Sequence, residues 1–565
     1  MTLFELAAFL PRFRTFIEEQ RIMHRSLSLA GLCSLVLSSP VLAQAPTPEA
    51  APKPAPAPAP VTTPAPAPAP VPVPIVAPPG TTPPPIRTYL DLEAYASQLA
   101  QKPYVAPQMK LDPFFEELKY DGHRQIRFIP DKALYGDVEH SYRVEFFHPG
   151  WMFKKPVEFF QIDGGQPSEI PFNKDLFNYG DLKVPGNVVY PTGYSGLRLL
   201  APDTLLDKRF EFMVFQGASY FRAVTTQLGW GLSARGLAIN TVGGEKEEFP
   251  DFTHFWFIKP KAGEKVFHFY ALLNGPSVTG AYEFEVEPGE TTVMRISGSL
   301  FLRKVVKLLG LAPFSSMFWY GENTHPKPLD FRPEVHDSDG LLIEQAHAPT
   351  LWRPLDNGKE LRHSVFAIEG IKGFGLQERD RDFKNFEDLE ARYHQRAAVW
   401  VEPIEGFGRG KLHLIEIPTG EETWDNVVTL WEPDIFPTAT EPLRFAYKLN
   451  WQKEHEHALA KVTASRWGEG VATTEIPNDF VFVVDFTKGP VGADKKADWV
   501  PDVAVNFQGD AKVIDKRVMA NSETGGWRAF FKLDIPPTTK LLEITCDLLD
   551  DKKPLSERWN YQWRR

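Results

Sequence analysis

From Tyr142 onwards the chain is a succession of short segments rich in aromatic and β-branched residues, separated by Gly, Pro, Asn and Asp. Arg143-Val144-Glu145-Phe146-Phe147, Val157-Glu158-Phe159-Phe160-Gln161, Phe210-Glu211-Phe212-Met213-Val214 and Tyr282-Glu283-Phe284-Glu285-Val286 have this form. Such side chains pack well on a pleated, half-buried surface, and the flanking breakers leave no room for helices. The pattern predicts a large antiparallel β-structure, sandwich or barrel, with strand texture persisting to about Leu449. A second unit follows over 476–565, with strand candidates at Phe480–Val484, Ala504–Phe507, Trp527–Phe531 and Leu542–Thr545. Regularly spaced strands in a unit of this size predict a small immunoglobulin-like sandwich. The expected fold class is therefore all-β, with a large domain over 86–450, a linker over 451–475 and the small domain over 476–565.

The N-terminal part reads differently. Met23-His24-Arg25-Ser26 precedes the apolar stretch Leu27–Leu42, which exits through Ala43-Gln44-Ala45. A basic start, a short apolar core and small exit residues describe a secretory signal peptide cleaved near Ala43. The apolar run is shorter than the ~20 residues a membrane span needs. Residues 1–22 read as an extension from a start codon placed too early, and no twin-arginine pair adjoins the apolar core. Residues 44–85 are almost wholly Ala, Pro, Thr and Val and predict an extended tether. Beyond it, Tyr89, Leu90, Leu92, Tyr95, Ala96 and Leu99 recur at helical spacing. Of two cysteines, Cys33 lies in the signal peptide, so Cys546 alone remains; an intrachain disulfide and a Cys-based metal site are both excluded. The net charge of −11 disfavours nucleic acid and anionic lipid and leaves neutral ligands.

Candidate chemistry clusters in a few places. Arg332-Pro333-Glu334-Val335-His336-Asp337-Ser338-Asp339-Gly340-Leu341 packs so many charges that it predicts a loop presenting chemistry, or else a surface turn with an ion pair. Its glycine is expected to supply backbone freedom. Aromatics beside polar residues recur at Ser219-Tyr220-Phe221-Arg222, Trp230 to Gly236, Phe318-Trp319-Tyr320 and Leu351-Trp352-Arg353-Pro354. Ring faces stack on sugars while Arg, Asn and carboxylates take hydroxyls, so the set fits an oligosaccharide groove. Any single member reads more readily as sandwich core. Glycoside hydrolysis needs two carboxyl groups, and three clusters offer them: Asp337/Asp339, Glu378-Arg379-Asp380-Arg381-Asp382, and Glu421-Glu422-Thr423-Trp424-Asp425-Asn426. The alternating charges of the middle cluster predict an ion-paired ladder or solvated turn. In the third, desolvation beside Trp424 would suit Asp425 to act as an acid. A metal site is the competing chemistry, with His336, Asp337 and Asp339, or His148, as ligands, but no His-x-x-x-His or comparable spacing occurs, and no Gly-x-Ser-x-Gly elbow supports a serine hydrolase.

With these stretches in view the chain resembles the periplasmic glucan biosynthesis protein family, G and D types, over about residues 88–565. The resemblance is carried by Ile126-Arg127-Phe128, Phe146 to Gly150, Gly217 to Ala223, Gly231 to Ala238, Pro276 to Tyr282, Arg332 to Leu341 and Arg379-Asp380-Arg381-Asp382-Phe383. It implies a galactose-mutarotase-like sandwich joined to the small domain, a periplasmic location, and inverting hydrolysis of β-1,2-glucan without metal or cofactor. It places the general acid on Asp425 and the general base on Asp337, with the proton moving through an extended relay. Substrate contacts are expected from Tyr220, Arg222, Trp230, Arg235, Trp319, Arg332, Glu334, His336, Trp352, Arg379, Asp380 and Trp424. Trp424, Glu378, Asn274-Gly275 and the single aromatic of Gly193 to Arg198 depart from the family's usual residues, which bears on chain-length preference and relay efficiency. The alternatives are a non-catalytic glucan-binding or assembly factor docking through the small domain, and a transglycosylase. Expected partners are a β-1,2-linked glucan, then the membrane glucan synthase and a second copy of the chain, but not nucleic acid.

Overall fold

The computed structural model describes residues 83–565 except 207–209, 471–477, 493–494 and 497. The signal peptide and nearly all of the expected tether lie outside the described residues. The described chain is nearly all β. Thr88 opens the one long helix among the described residues, Tyr89–Ala100, in a reciprocal capping box with Asp91, satisfying backbone donors that would otherwise be orphaned.

Two large sheets form the body. One runs in the order Arg143–Phe147, Gly196–Leu200, Glu211–Gln216, Tyr220–Ala223, Ser233–Arg235, Leu309–Ser316, Val427–Pro433, Arg409–Glu416, Arg362–Glu369. The other carries the long antiparallel run Asp251–Ile258, Phe267–Asn274, Val278–Glu287, Thr292–Leu302, Leu443–Gln452, Ala398–Glu405. Their inner faces share one apolar core, closed by ring contacts between sheets: Phe146 to Phe159 at 4.7 Å, Phe215 to Phe255 at 5.2 Å and Phe314 to Phe374 at 6.1 Å. Side chains alternate across a strand. Phe255, Phe257 and Phe269 therefore face that core, while Trp256, Tyr270 and Leu272 face outward and are covered by Leu92, Ala96 and Ala100 of the helix.

The larger sheet does not stop at the sandwich. Leu351–Pro354 pairs in parallel with the C-terminal strand Arg558–Arg564, which continues through Leu541–Asp550 to Asp502–Gln508. A separate four-stranded sheet packs over these three strands and encloses a second core with Cys546 inside it. Its first strand, Val462–Glu469, falls within the stretch expected as linker. Val462 and Ser465 are its only fully buried side chains, which is why its apolar signal is faint.

Gly340, Gly373 and Gly375 let neighbouring strands approach closely. A methyl group at Gly340 would overlap the ring of Trp352, one at Gly373 the ring of Trp400, and one at Gly375 the carbonyl of Val399. Gly340 thus lacks a side chain for packing, not for backbone freedom as the sequence suggested; it is not among the residues of positive φ.

Arg379 pins the two cores together. Its guanidinium lies 3.6 Å from the centre of the Trp352 ring and pairs through both terminal nitrogens with the fully buried Glu557. Glu557 also accepts from Val462 N at 2.7 Å and pairs with His457 at 3.0 Å. Burial would raise its carboxyl, but Arg379 and His457 hold it down at about 2 against an ordinary 4.5. Because the folded value lies below the unfolded one, the linked stability is complete above pH 4.5 and is lost as pH falls towards 2. A gap of this size is worth about 3 kcal/mol. Glu557→Gln should therefore unfold at lower denaturant than wild type at pH 7 by about 3 kcal/mol, and the two should converge as urea titrations are carried down to pH 3.

Candidate functional site

The end of one strand brings Asp337 and Asp425 to the same place. In Leu309–Ser316, Ser316 lies opposite Val427, and two residues later Phe318 lies opposite His336. Met317 O accepts from Asp337 N at 2.8 Å, and Phe318 N donates to the Asn426 side chain at 2.8 Å. Asp337 and Asp425 thus flank residues 316–318 from two sides, both buried.

Each carboxylate has an arginine beside it. Arg396 Nη1 donates to Asp337 Oδ1 at 2.5 Å, while the same guanidinium lies 4.3 Å from the Tyr393 ring centre and bonds the Ala391 carbonyl. Arg222 Nη2 lies 3.5 Å from Asp425 Oδ2, and its Nε donates to Ser233 Oγ at 2.6 Å. Burial lowers the pKa of Arg222, the charge of Asp425 opposes this, and the positive charge of Arg396 adds to it. The two guanidinium groups feel each other, so the Asp337 and Asp425 environments form one electrostatic unit.

A polar strip adjoins them on the smaller sheet. Tyr220 and Arg222 alternate on one strand, Ser233 and Arg235 on the next, and Ser315 follows on the third, with Tyr220 opposite Arg235 and Ser233 opposite Ser315. Arg235 bonds Ser315 Oγ through Nε (2.9 Å) and Nη2 (2.6 Å) and Glu247 through Nη1 (3.0 Å), and lies 4.9 Å from the Tyr220 ring centre. Burial pushes the Tyr220 phenol up to about 12 despite Arg235. Period-two spacing is what gathers these groups on one side of the sheet.

The segment bearing Asp425 is clamped from outside. Glu422 accepts from Arg332 Nη1 at 2.6 Å and from the Tyr393 hydroxyl at 2.7 Å; Arg332 also holds Asp388 and Asp330. Trp424 is half-buried and donates its indole N–H to Glu421 at 2.5 Å. Arg332, Trp424 and Asp425 are therefore linked through a few bonds. Trp230 packs half-buried on the main core beside the Gly229–Arg396 bridge, and Trp319 packs against Tyr320. Trp352 and Arg379 belong instead to the junction of the two cores.

The charged block Arg332–Leu341 is not an exposed presenting loop. Glu334, His336, Asp337, Ser338 and Asp339 are all buried. Their charges are tolerated because they find partners: His336 Nε2 meets Glu334 of the same block at 3.0 Å, while Glu378 reaches His336 Nδ1 at 2.8 Å and Arg396 reaches Asp337, both from distant segments. Burial disfavours the imidazolium, yet the two carboxylates prevail and hold its pKa well above the ordinary value. The run 378–382 likewise forms no internal ladder. Glu378 turns to His336, Arg379 to Glu557, Asp380 to Asn385, and Arg381 to the carbonyls of His394, Arg396 and Lys453. Burial first, then Glu322 and Glu378, push the Asp339 carboxyl well up; burial, then Asp339 and Glu334, do the same to Asp380. Among the described residues, two groups bring possible metal-ligand atoms within 4.8 Å of one another: Glu334, His336 and Asp380, and Glu322, Asp339 and Asp380.

A sequence model of the family described as periplasmic glucan biosynthesis protein, MdoG, matches residues 88–563. The chain belongs to this family. Glucans biosynthesis protein G of Pseudomonas aeruginosa is 39% identical over 482 residues, covering 84% of this chain and 92% of that protein. The protein of that name from Ralstonia nicotianae is 39% identical over 478 residues, 83% and 95% of the two chains. That of Serratia proteamaculans is 38% identical over 483 residues, 84% and 92%.

In this MdoG-family chain, sequence reasoning missed Arg396, Tyr393 and Ser315, and it named Glu422 and Ser233 only as members of the third carboxylate cluster and of the Trp230 to Gly236 stretch. Arg396 stands in His394-Gln395-Arg396-Ala397-Ala398, where nothing local distinguishes it; only the pairing of Asp337 with a distant arginine marks it. Arg396→Gln leaves Asp337 buried without this guanidinium and should cost about 3–5 kcal/mol in chemical denaturation. Arg396→Lys should recover part of that loss, because an ammonium restores the charge but not the planar fork.

Proposed function

We propose that this chain serves periplasmic glucan biosynthesis by cleaving the β-1,2-glucan backbone as an inverting endo-glucanase, with Asp425 as general acid and Asp337 as general base. The observation that carries this reading is the pair of buried carboxyl groups flanking residues 316–318, each beside its own arginine. Inversion asks one carboxyl to protonate the departing oxygen and another to activate water on the opposite face of the sugar. Asp425, next to the polar strip of Tyr220, Arg222 and Arg235, is the group beside bound sugar hydroxyls. Asp337, held by Arg396, takes the proton from water through intervening groups.

The related proteins' name, glucans biosynthesis protein G, supports the substrate class. The family's description supports a periplasmic location, as does the secretory signal expected at residues 23–43. No helix among the described residues is long and apolar enough to cross a membrane. We further read the body as a galactose-mutarotase-like sandwich and the C-terminal strands as an immunoglobulin-like one, with the membrane glucan synthase and a second copy of the chain as candidate partners.

The test is incubation of the mature protein with linear β-1,2-glucan, following product length and anomeric form. Wild type should release short products, initially as the α-anomer. Asp425→Asn and Asp337→Asn should each lose at least about 10³-fold in rate, a size typical of removed acid–base groups, while melting as folded proteins. Redistribution into longer and shorter chains without net hydrolysis would move the reading to a transglycosylase. Binding without any product would move it to an assembly factor.

A further inference from the structure

Three apolar or aromatic side chains beside the Asp425 segment are left partly or largely in solvent. Phe331 is 78% exposed and Leu389 75%, while Trp424 is half-buried. They come from three separate segments, yet their neighbours meet in one ion cluster: Arg332 Nη1 donates to Asp388 at 2.9 Å and to Glu422 at 2.6 Å. Phe331 precedes Arg332, Leu389 follows Asp388, and Trp424 stands two residues after Glu422. The cluster therefore gathers all three on its rim.

The backbone beneath them is braced. Arg332 N donates to Asp330 at 2.9 Å, and the Tyr320 hydroxyl donates to Arg332 O at 3.1 Å. Asp388 Oδ1 accepts from Glu390 N at 2.8 Å and from Ala391 N at 2.6 Å, which holds the turn carrying Leu389. Apolar side chains scattered singly over a surface need no explanation, but several on one braced rim point to something that covers them. Charge selects the occupant. Asp330, Asp388 and Glu422 share the guanidinium of Arg332, so the cluster is net negative. It repels phosphates, nucleic acid and acidic peptides, and its carboxylates accept hydrogen bonds from hydroxyl groups. A neutral chain of sugars, with apolar ring faces and many hydroxyl donors, meets both demands. An apolar protein surface would bury the carboxylates without supplying donors.

We propose that Phe331 and Leu389, with Trp424, form a ledge on which a sugar ring of the glucan stacks, set apart from the ring at Asp425. This deepens the glucan reading above and rests on it. Glu422 stands three residues before Asp425, at most about 10 Å of chain. The ledge therefore engages only glucans long enough to reach past Asp425, and it acts as a selector of chain length. Nothing in the sequence marks Phe331 or Leu389, because the patch exists only once Arg332 has drawn the three segments together.

The experiment uses the mature protein and linear β-1,2-gluco-oligosaccharides of increasing length, up to the polymer. Binding is measured by calorimetry in the Asp425→Asn background and cleavage in the otherwise native chain. Phe331→Ala should weaken binding of the polymer by about 3- to 10-fold, the range of one aromatic contact, and raise KM to match with kcat unchanged. Leu389→Ala should act in the same direction, and Phe331→Trp should keep the wild-type affinity. The loss should vanish for the shortest oligosaccharides, which a merely structural defect would not allow. Truncating an exposed ring should also leave the thermal midpoint in place. Equal affinity of wild type and Phe331→Ala at every length would overturn the ledge, as would a loss of equal size at every length. Polymer bound in a Phe331-dependent way but not cut by the native chain would keep the ledge and overturn the hydrolase, whereas cutting that ignores Phe331 would do the reverse. No binding of glucan to either background would overturn both.

Discussion

The pairing of Arg396 with Asp337 is the interaction on which the site depends, because it lets a carboxylate stay buried at the end of a core strand. Taking a charge out of water is costly unless a partner of good geometry is present. Arg396 supplies that partner and is itself fixed by the Tyr393 ring and the Ala391 carbonyl. Arg381 bonds the backbone of Arg396 in turn, so the run 378–382 braces the arginine from behind. Tyr393 extends the chain of contacts to Glu422, three residues before Asp425. The two carboxyl segments, far apart in sequence, are thereby tied into one rigid assembly.

The second constraint is the division of the smaller sheet's two faces. One face gives Phe215, Phe221 and Phe314 to the shared core; the other gives Tyr220, Arg222, Ser233, Arg235 and Ser315 to the polar strip. A one-residue slip in register would exchange the two sets, burying arginines in an apolar core. The apolar core therefore fixes the register that assembles the polar strip.

Much of the fold was legible because strand signals are local. Arg143–Phe147 is a strand with the bounds its residues suggested, and the segments at 480–484, 527–531 and 542–545 each lie inside an observed strand. Val462–Glu469 was not legible, since few of its side chains are buried. In the site, the charged block and the Asp425 segment could be picked out by composition, but their partners could not. Ion pairs such as Arg396 with Asp337 and Arg379 with Glu557 join residues 59 and 178 positions apart, and spacing carries no trace of them. Gly340 illustrates the same limit: the residue type was visible, but the Trp352 ring that requires it was not.

The parallel junction between Leu351–Pro354 and Arg558–Arg564 has a consequence for how the chain is made. The strand Leu351–Pro354 borders Gly340–Gln345, which follows directly on Asp339, and on its other side it waits for Arg558–Arg564, far later in the sequence. During synthesis that side stays an open edge, with unpaired donors and acceptors, until Arg558–Arg564 emerges. The sheet supporting the candidate site thus stays incomplete until that strand is made. A chain cut before Arg558 would expose a sticky edge beside the candidate site, so this one strand acts as a seal on the sheet.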